Sequence, residues 1–126
     1  MGKFVIKATK TGYTFSLKAA NGQVIAVGGE VYNSLASVKN GIASVAKNAP
    51  IANLEDQTIS SFKTETNPKF EIYKDKAGEF RFRLKAKNGE IIAASEGYVK
   101  KDSCKNGIAS VRKNAVDAPV TEPDDK

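Results

Sequence analysis

From Phe80 onward the chain alternates strictly: Phe80, Phe82, Leu84 and Ala86 are apolar, and Arg81, Arg83, Lys85 and Lys87 stand between them. Period two marks a strand with one buried face, because successive side chains point to opposite sides of a sheet. Phe70 and Ile72 begin a shorter run of this kind, alternating with Glu71 and Tyr73. Upstream, Phe4, Ile6, Tyr13, Phe15, Leu17 and Ala19 make a matching inner face. The period then becomes helical twice, through Leu35, Val38, Ile42, Val45 and Ala49 and through Cys104, Ile108, Val111 and Ala115. Pro50 and Pro119 close the helical stretches, and beyond them Ile51 to Leu54 and Val116 to Thr121 each suit a short edge strand.

Turn chemistry sets the register. Asn21-Gly22 and Asn88-Gly89 each separate two alternating runs, and Asn-Gly suits a two-residue type I′ turn, where both central positions need positive φ. Such a turn places Ala86 opposite Ile91, Leu84 opposite Ala93 and Phe82 opposite Ser95. The looser loop from Lys74 to Gly78 keeps the faces consistent with Ile72 opposite Phe80 and Phe70 opposite Phe82. Arg81 then lies between Glu71 and Glu96 and Lys87 faces Glu90, which leaves Arg83 and Lys85 without an acidic neighbour. Asn33 or Ser34 caps the first helix, while Val99 and Lys100 at the matching places put the second start at Asp102 or Ser103. Gly41 and Gly107 sit mid-helix, each at a cost of about 1 kcal/mol against alanine, and predict a helix backbone lying close on the sheet.

The two halves are near copies. Ser37 to Ala49 returns as Ser103 to Ala115, with Cys104 for Val38 and Arg112 for Ala46, and Phe15 to Ala26 returns as Phe82 to Ala93. A repeat sets the architecture. The expected fold is α+β: two pseudo-symmetric β-β-β-α-β repeats forming one antiparallel sheet with helices on one face. Residues 1–126 are expected to form a single compact domain, since units this small share a core more readily than they fold apart. Its parts are repeat one at 2–56, a connector at 57–67, repeat two at 68–121 and an acidic tail at 122–126.

Composition narrows the functional classes. A 40% hydrophobic and 27% charged chain is ordinary for a globular protein. The net charge of +6 is uneven: without the segment from Asp117 to Lys126, 19 basic and 10 acidic residues remain, a net +9. Such a body suits anionic partners or plain solubility. Cys104 is the sole cysteine, no apolar run reaches signal-peptide or membrane-helix length, and the expected location is the cytoplasm, with no membrane partner.

Three motifs carry a family resemblance: Phe-x-Leu-Lys-Ala-x-Asn-Gly, Ile-Ile-Ala-x-Ser-Glu-x-Tyr and Asn-Gly-Ile-Ala-Ser-Val-x-Lys-Asn. Together they resemble the YegP-like family, small bacterial proteins with one or two copies of a short domain of unknown function. The resemblance covers Gly2 to Ala52 and Pro68 to Val120, and the first copy departs from it at Gly29 and Val31. It implies two β-β-β-α-β units joined into one sheet with exchanged carboxyl-terminal strands, supplied by two subunits or by tandem repeats. It implies no activity, ligand or site residue.

Candidate chemistry is sparse. The chain lacks histidine, the one side chain whose unperturbed pKa lies near neutrality, and no residue spacing points to a metal or cofactor. Cys104 lies on the apolar stripe, as a buried hydrophobe or as a reactive thiol. Glu30 with Tyr32, and Glu96 with Tyr98, recur at the strand-to-helix junction, as an acid and donor or as ordinary complements to a helix dipole. A polar helix stripe is duplicated: Lys39, Asn40, Ser44, Lys47 and Asn48 match Lys105, Asn106, Ser110, Lys113 and Asn114. It is either one ligand face presented twice or a solvated face with Asn48 and Asn114 as left-handed carboxyl caps. Arg81, Arg83 and Lys85 line the outer face of the second repeat as a candidate anion or nucleic-acid contact. The same face of the first repeat is mild, with Val5, Ile25 and Val27 as a candidate protein contact.

These observations favour a non-enzymatic binding or protein-interaction module, a monomer with pseudo-two-fold symmetry, needing no cofactor and meeting an unidentified protein partner. The alternative is weak, salt-sensitive nucleic-acid binding through the charged face.

Overall fold

The period-two runs become strands and the helical runs become helices. In the computed structural model, which describes residues 2–121, β1 (Lys3–Ala8), β2 (Tyr13–Lys18) and β3 (Val24–Gly28) precede α1 (Leu35–Asn48) and β4 (Asn53–Asp56). The second copy supplies β5 (Lys69–Lys74), β6 (Phe80–Lys85), β7 (Ile91–Ala94), α2 (Lys101–Asn114) and β8 (Val120–Thr121). The acidic tail expected at 122–126 lies outside the described residues.

All eight strands form one sheet in the order β4-β5-β6-β7-β3-β2-β1-β8. The halves meet at β3 and β7, where Val27 faces Ala94 and Gly28 faces Ala93. Each repeat sends its last strand to the other half: β4 runs parallel to β5 and β8 parallel to β1. The remaining pairs are antiparallel. Both helices cover one face, α1 over β2 and β7, α2 over β6, β3 and β2. Phe4, Ile6, Leu17, Phe70, Ile72, Phe82 and Leu84 are buried from the sheet side, with Val38, Val45, Cys104 and Val111 from the helices.

The Asn-Gly turns are one residue longer than expected and move the register. Only the glycine of each Asn-Gly pair takes positive φ, +87° at Gly22 and at Gly89. Asn88 Oδ1 instead accepts from the Glu90 N–H at 3.0 Å, and Asn21 Oδ1 from the Gln23 N–H at 3.0 Å. Asparagine thereby satisfies the turn with its side chain, and the loop gains a third residue ending in a glycine bulge. Leu84 faces Ala93 as expected, but Lys85, not Ala86, faces Ile91. The matching shift at Leu17/Lys18 sets Val24 opposite Lys18. Val24 and Ile91 therefore lie on the outer face, while Ile25 packs against the core and Ile92 is buried.

The Asp75–Glu79 loop closes the same way. The Gly78 N–H donates to Asp75 O, and Asp75 Oδ1 accepts from the N–H groups of Ala77 and Glu79. Ile72 consequently faces Phe82 and Phe70 faces Leu84, two residues away from the expected pairing. A slip of two keeps every side chain on its face but changes its neighbours.

The helices also correct three expectations. Ser34 caps α1, accepting from the Ser37 N–H at 3.1 Å. The second helix starts at Lys101, at the place matching Leu35, although its cap Lys100 makes no side-chain bond; packing of the copied apolar face outweighs the missing cap. Asn48 and Asn114 are not left-handed caps, since Asp117 alone among the described non-glycine residues has positive φ. They are buried and donate back to Ser44 and Ser110, each serine accepting through both its carbonyl and its hydroxyl oxygen. Finally, the close neighbour of the mid-helix glycines is a tyrosine. A Cβ at Gly41 would lie 2.7 Å from Tyr32 Cζ, and one at Gly107 2.5 Å from Tyr98 Oη.

Candidate functional site

The face of the sheet away from the helices carries one row of side chains from edge to edge: Glu55, Glu71, Arg83, Ala94, Val27, Ser16, Val5 and Thr121. Its chemistry changes at the pseudo-two-fold seam. The half over the second repeat is ionic, and the half over the first is aliphatic.

The ionic half is internally paired. Arg83 Nε donates to Glu71 Oε1 at 2.5 Å, and Lys69 Nζ to Glu55 Oε1 at 2.7 Å. Lys69 and Lys85 stand 3.3 and 3.4 Å from Glu71 Oε2. Glu55, Lys69 and Glu71 are more than nine-tenths buried, because the connector folds back: Gln57 Nε2 and the Glu65 N–H both donate to Glu55. Burial pushes the Glu55 carboxyl up, but the bonds from Gln57, Lys69 and Glu65 prevail and hold it at about 2. Glu71 is also held below the usual carboxylate range, with burial opposed mainly by Arg83. Hydrogen bonding to Glu55 raises Lys69 despite its burial.

This corrects the expected free cations. Arg83 and Lys85 share Glu71, because the tighter Asp75 loop brings that carboxylate opposite Arg83. Arg81 meets Asp75 at 2.6 Å and the Ser95 carbonyl oxygen at 3.3 Å, rather than Glu71 and Glu96. The Arg83 guanidinium also lies over the Tyr73 ring, 4.6 Å from its centre.

The aliphatic half is open. Val5, Thr14, Phe15, Ser16, Val24, Val27 and Gly28 line a hollow of about 380 Å³, with Lys7 at one end. Val24 and Val27 are 40% and 43% exposed. Val24 takes the place expected for Ile25, which the bulge turns toward the core. Lys3 pairs in register with Lys18 beyond the other end. Among the described residues, Lys3, Lys7 and Lys18 make no ion pair, in contrast to the cations across the seam. The alternation of Lys3, Val5 and Lys7 with Phe4 and Ile6 was a visible sign of this surface; the pairing of the opposite half was not.

The duplicated helix stripe is divided. Asn106, Ser110 and Lys113 line an open hollow of about 430 Å³ with Ala19, Ala20 and Asn21 from the first repeat's turn. Lys105 does not line it, nor does any residue of α1, so Lys39, Asn40, Ser44 and Lys47 stand apart from it. That hollow is shared by α2 and the first repeat's turn rather than by the two helices. Cys104 is fully buried, and burial, with the Asp56 charge, pushes its thiol up to about 11. Tyr32 and Tyr98 stack on Phe15 and Phe82, while Glu30 and Glu96 are exposed. No described helix is long and apolar enough to cross a membrane.

Comparison with known proteins follows the repeat. The family described as "Domain of unknown function (DUF1508)" matches residues 8–56 and again 75–122. The chain is 41% identical over 123 residues to "UPF0339 protein YegP" of Yersinia pestis, covering 97% of this chain and 96% of that protein. A UPF0339 protein of Treponema denticola is 67% identical over 54 residues, which are 43% of this chain but 93% of that protein. The solution NMR structure of yegP from E. coli, titled a protein of unknown function, superposes with a TM-score of 0.79 at 31% identity, covering 99% of this chain and 96% of that one.

Proposed function

The chain belongs to the DUF1508 family, whose description assigns no role, and from its surface we propose a non-enzymatic protein-interaction module that binds through the outer sheet face of its first repeat. One observation carries this: across a single row of the sheet, one half closes its charges on itself while the other leaves Val5, Val24 and Val27 accessible in an open hollow. Exposed aliphatic patches framed by polar residues mark interaction surfaces and ligand grooves. The buried, unionised Cys104 thiol offers no nucleophile to solvent. Nucleic-acid binding through Arg81, Arg83 and Lys85 is the weaker reading, because each would exchange an existing carboxylate for phosphate.

A photo-reactive residue at Val27 tests the proposal against one at Asn40, on the exposed face of α1. In cells, Val27 should yield a discrete protein adduct that disappears in a Val5→Asp background, and Asn40 should not. Equal labelling from both positions would overturn the assignment. Oligonucleotide binding at low salt that weakens on Arg83→Gln would favour the alternative.

A further inference from the structure

The cations around the open hollow specify what its partner carries. Lys3 and Lys7 both belong to β1 and share the outer face with Val5 between them, and Lys18 stands beside Lys3 on β2. Four strand residues span about 13 Å, so positive charge sits at both ends of the hollow and aliphatic surface lies between. Over the second repeat the matching positions are Lys69, Glu71 and Tyr73, with Arg83 and Lys85 beside them, and there the protein supplies its own carboxylates. Over the first repeat, among the described residues, it supplies none.

We propose that this face binds an extended acidic peptide segment of another protein, with two carboxylates about four residues apart flanking an apolar side chain. In an extended segment, residues i, i+2 and i+4 point to one side, and i to i+4 spans about 13 Å. An acid–apolar–acid pattern at that spacing places one carboxylate near Lys3 and Lys18, the apolar group on Val5 and Val27, and the second carboxylate at Lys7. A nucleic acid fits less well, because Phe15, the aromatic residue of the lining, is buried in the core, and Val5, Thr14, Ser16, Val24 and Val27 offer no ring for base stacking. The inference rests on the proposed interaction face and adds the chemistry of its partner.

The probe is a capped peptide containing Glu-Thr-Val-Thr-Glu, titrated into the full chain and followed by backbone NMR. Shifts should concentrate at Val5, Ser16, Val24 and Val27, saturate, and weaken with added salt. Lys7→Glu should reduce affinity at least threefold while leaving the melting temperature nearly unchanged. The control peptide Lys-Thr-Val-Thr-Lys should not bind, and Glu-Glu-Val-Thr-Thr should bind several-fold more weakly. Shifts centred on Asn106 and Lys113, equal binding by all three peptides, or tighter and more salt-sensitive binding of a single-stranded oligonucleotide at the same residues would overturn the inference. A Val27 adduct without binding of the acidic peptide defeats the partner chemistry and leaves the interaction face standing; absence of both defeats the face as well.

Discussion

At Gly107 the helix lacks a side chain because a tyrosine occupies the space. Tyr98 stacks on Phe82 with ring centres 6.4 Å apart, and its hydroxyl and the Phe82 edge lie where a Cβ would stand. Helix propensity alone favours alanine there by about 1 kcal/mol, yet overfilling a packed site costs about 1–3 kcal/mol. Gly107→Ala should therefore lower stability in urea unfolding, and a stabilised variant would show that the tyrosine yields. Cys104 presents the opposite case, a side chain whose identity matters little. Val38 fills the matching place, so Cys104→Val should unfold within about 1 kcal/mol of the parent, as volume-conserving swaps do. The native thiol, buried and raised to about 11, should react with a thiol reagent far more slowly than in denaturant; rapid native labelling would reopen redox chemistry.

Among the elements, the β4–β5–β6 ladder holds an acid-sensitive interaction. The folded-state pKa of Glu55, about 2, lies below an unfolded value of about 4.3. Stabilisation from its ionised form is thus complete above about pH 5 and is lost as pH falls toward 2. Glu55→Gln should cost about 2 kcal/mol at pH 7, the scale of a hydrogen bond to a charged group, and should flatten the acid limb of stability against pH. Parallel curves for variant and parent would place the acid sensitivity elsewhere. The same ladder marks where sequence patterning stops being informative. Alternation through Phe70, Ile72, Phe82 and Leu84 assigns each side chain to its face, and a two-residue slip leaves that assignment intact. Which carboxylate meets Arg83 depends on whether Asp75 caps its own loop with its side chain, a local hydrogen-bond choice that periodicity does not encode. Lys69 and Glu55 were still less legible: the exchanged strand was expected to end at Leu54, and only its extension to Asp56 carries Glu55 across to Lys69.

For the molecule as a whole, that crossing makes each half incomplete alone. Without β4 the second repeat exposes the edge of β5, and without β8 the first exposes β1. Cutting the chain at Ser61, within the exposed connector, should give two fragments that are unfolded apart or self-associate, and that recover the native circular dichroism when mixed. Fragments that each unfold cooperatively as monomers would contradict the shared sheet. A chain with one such repeat that closed its edges with an identical copy would carry every surface substitution twice. Covalent duplication lifts that constraint. Glu55, donated by the first repeat, stands where the second repeat supplies Thr121, and the residues they face differ likewise, Glu71 against Val5. Joining the copies in one chain thus permits a division of labour, with one half of the face free to become structural ballast while the other is left open for the proposed contact.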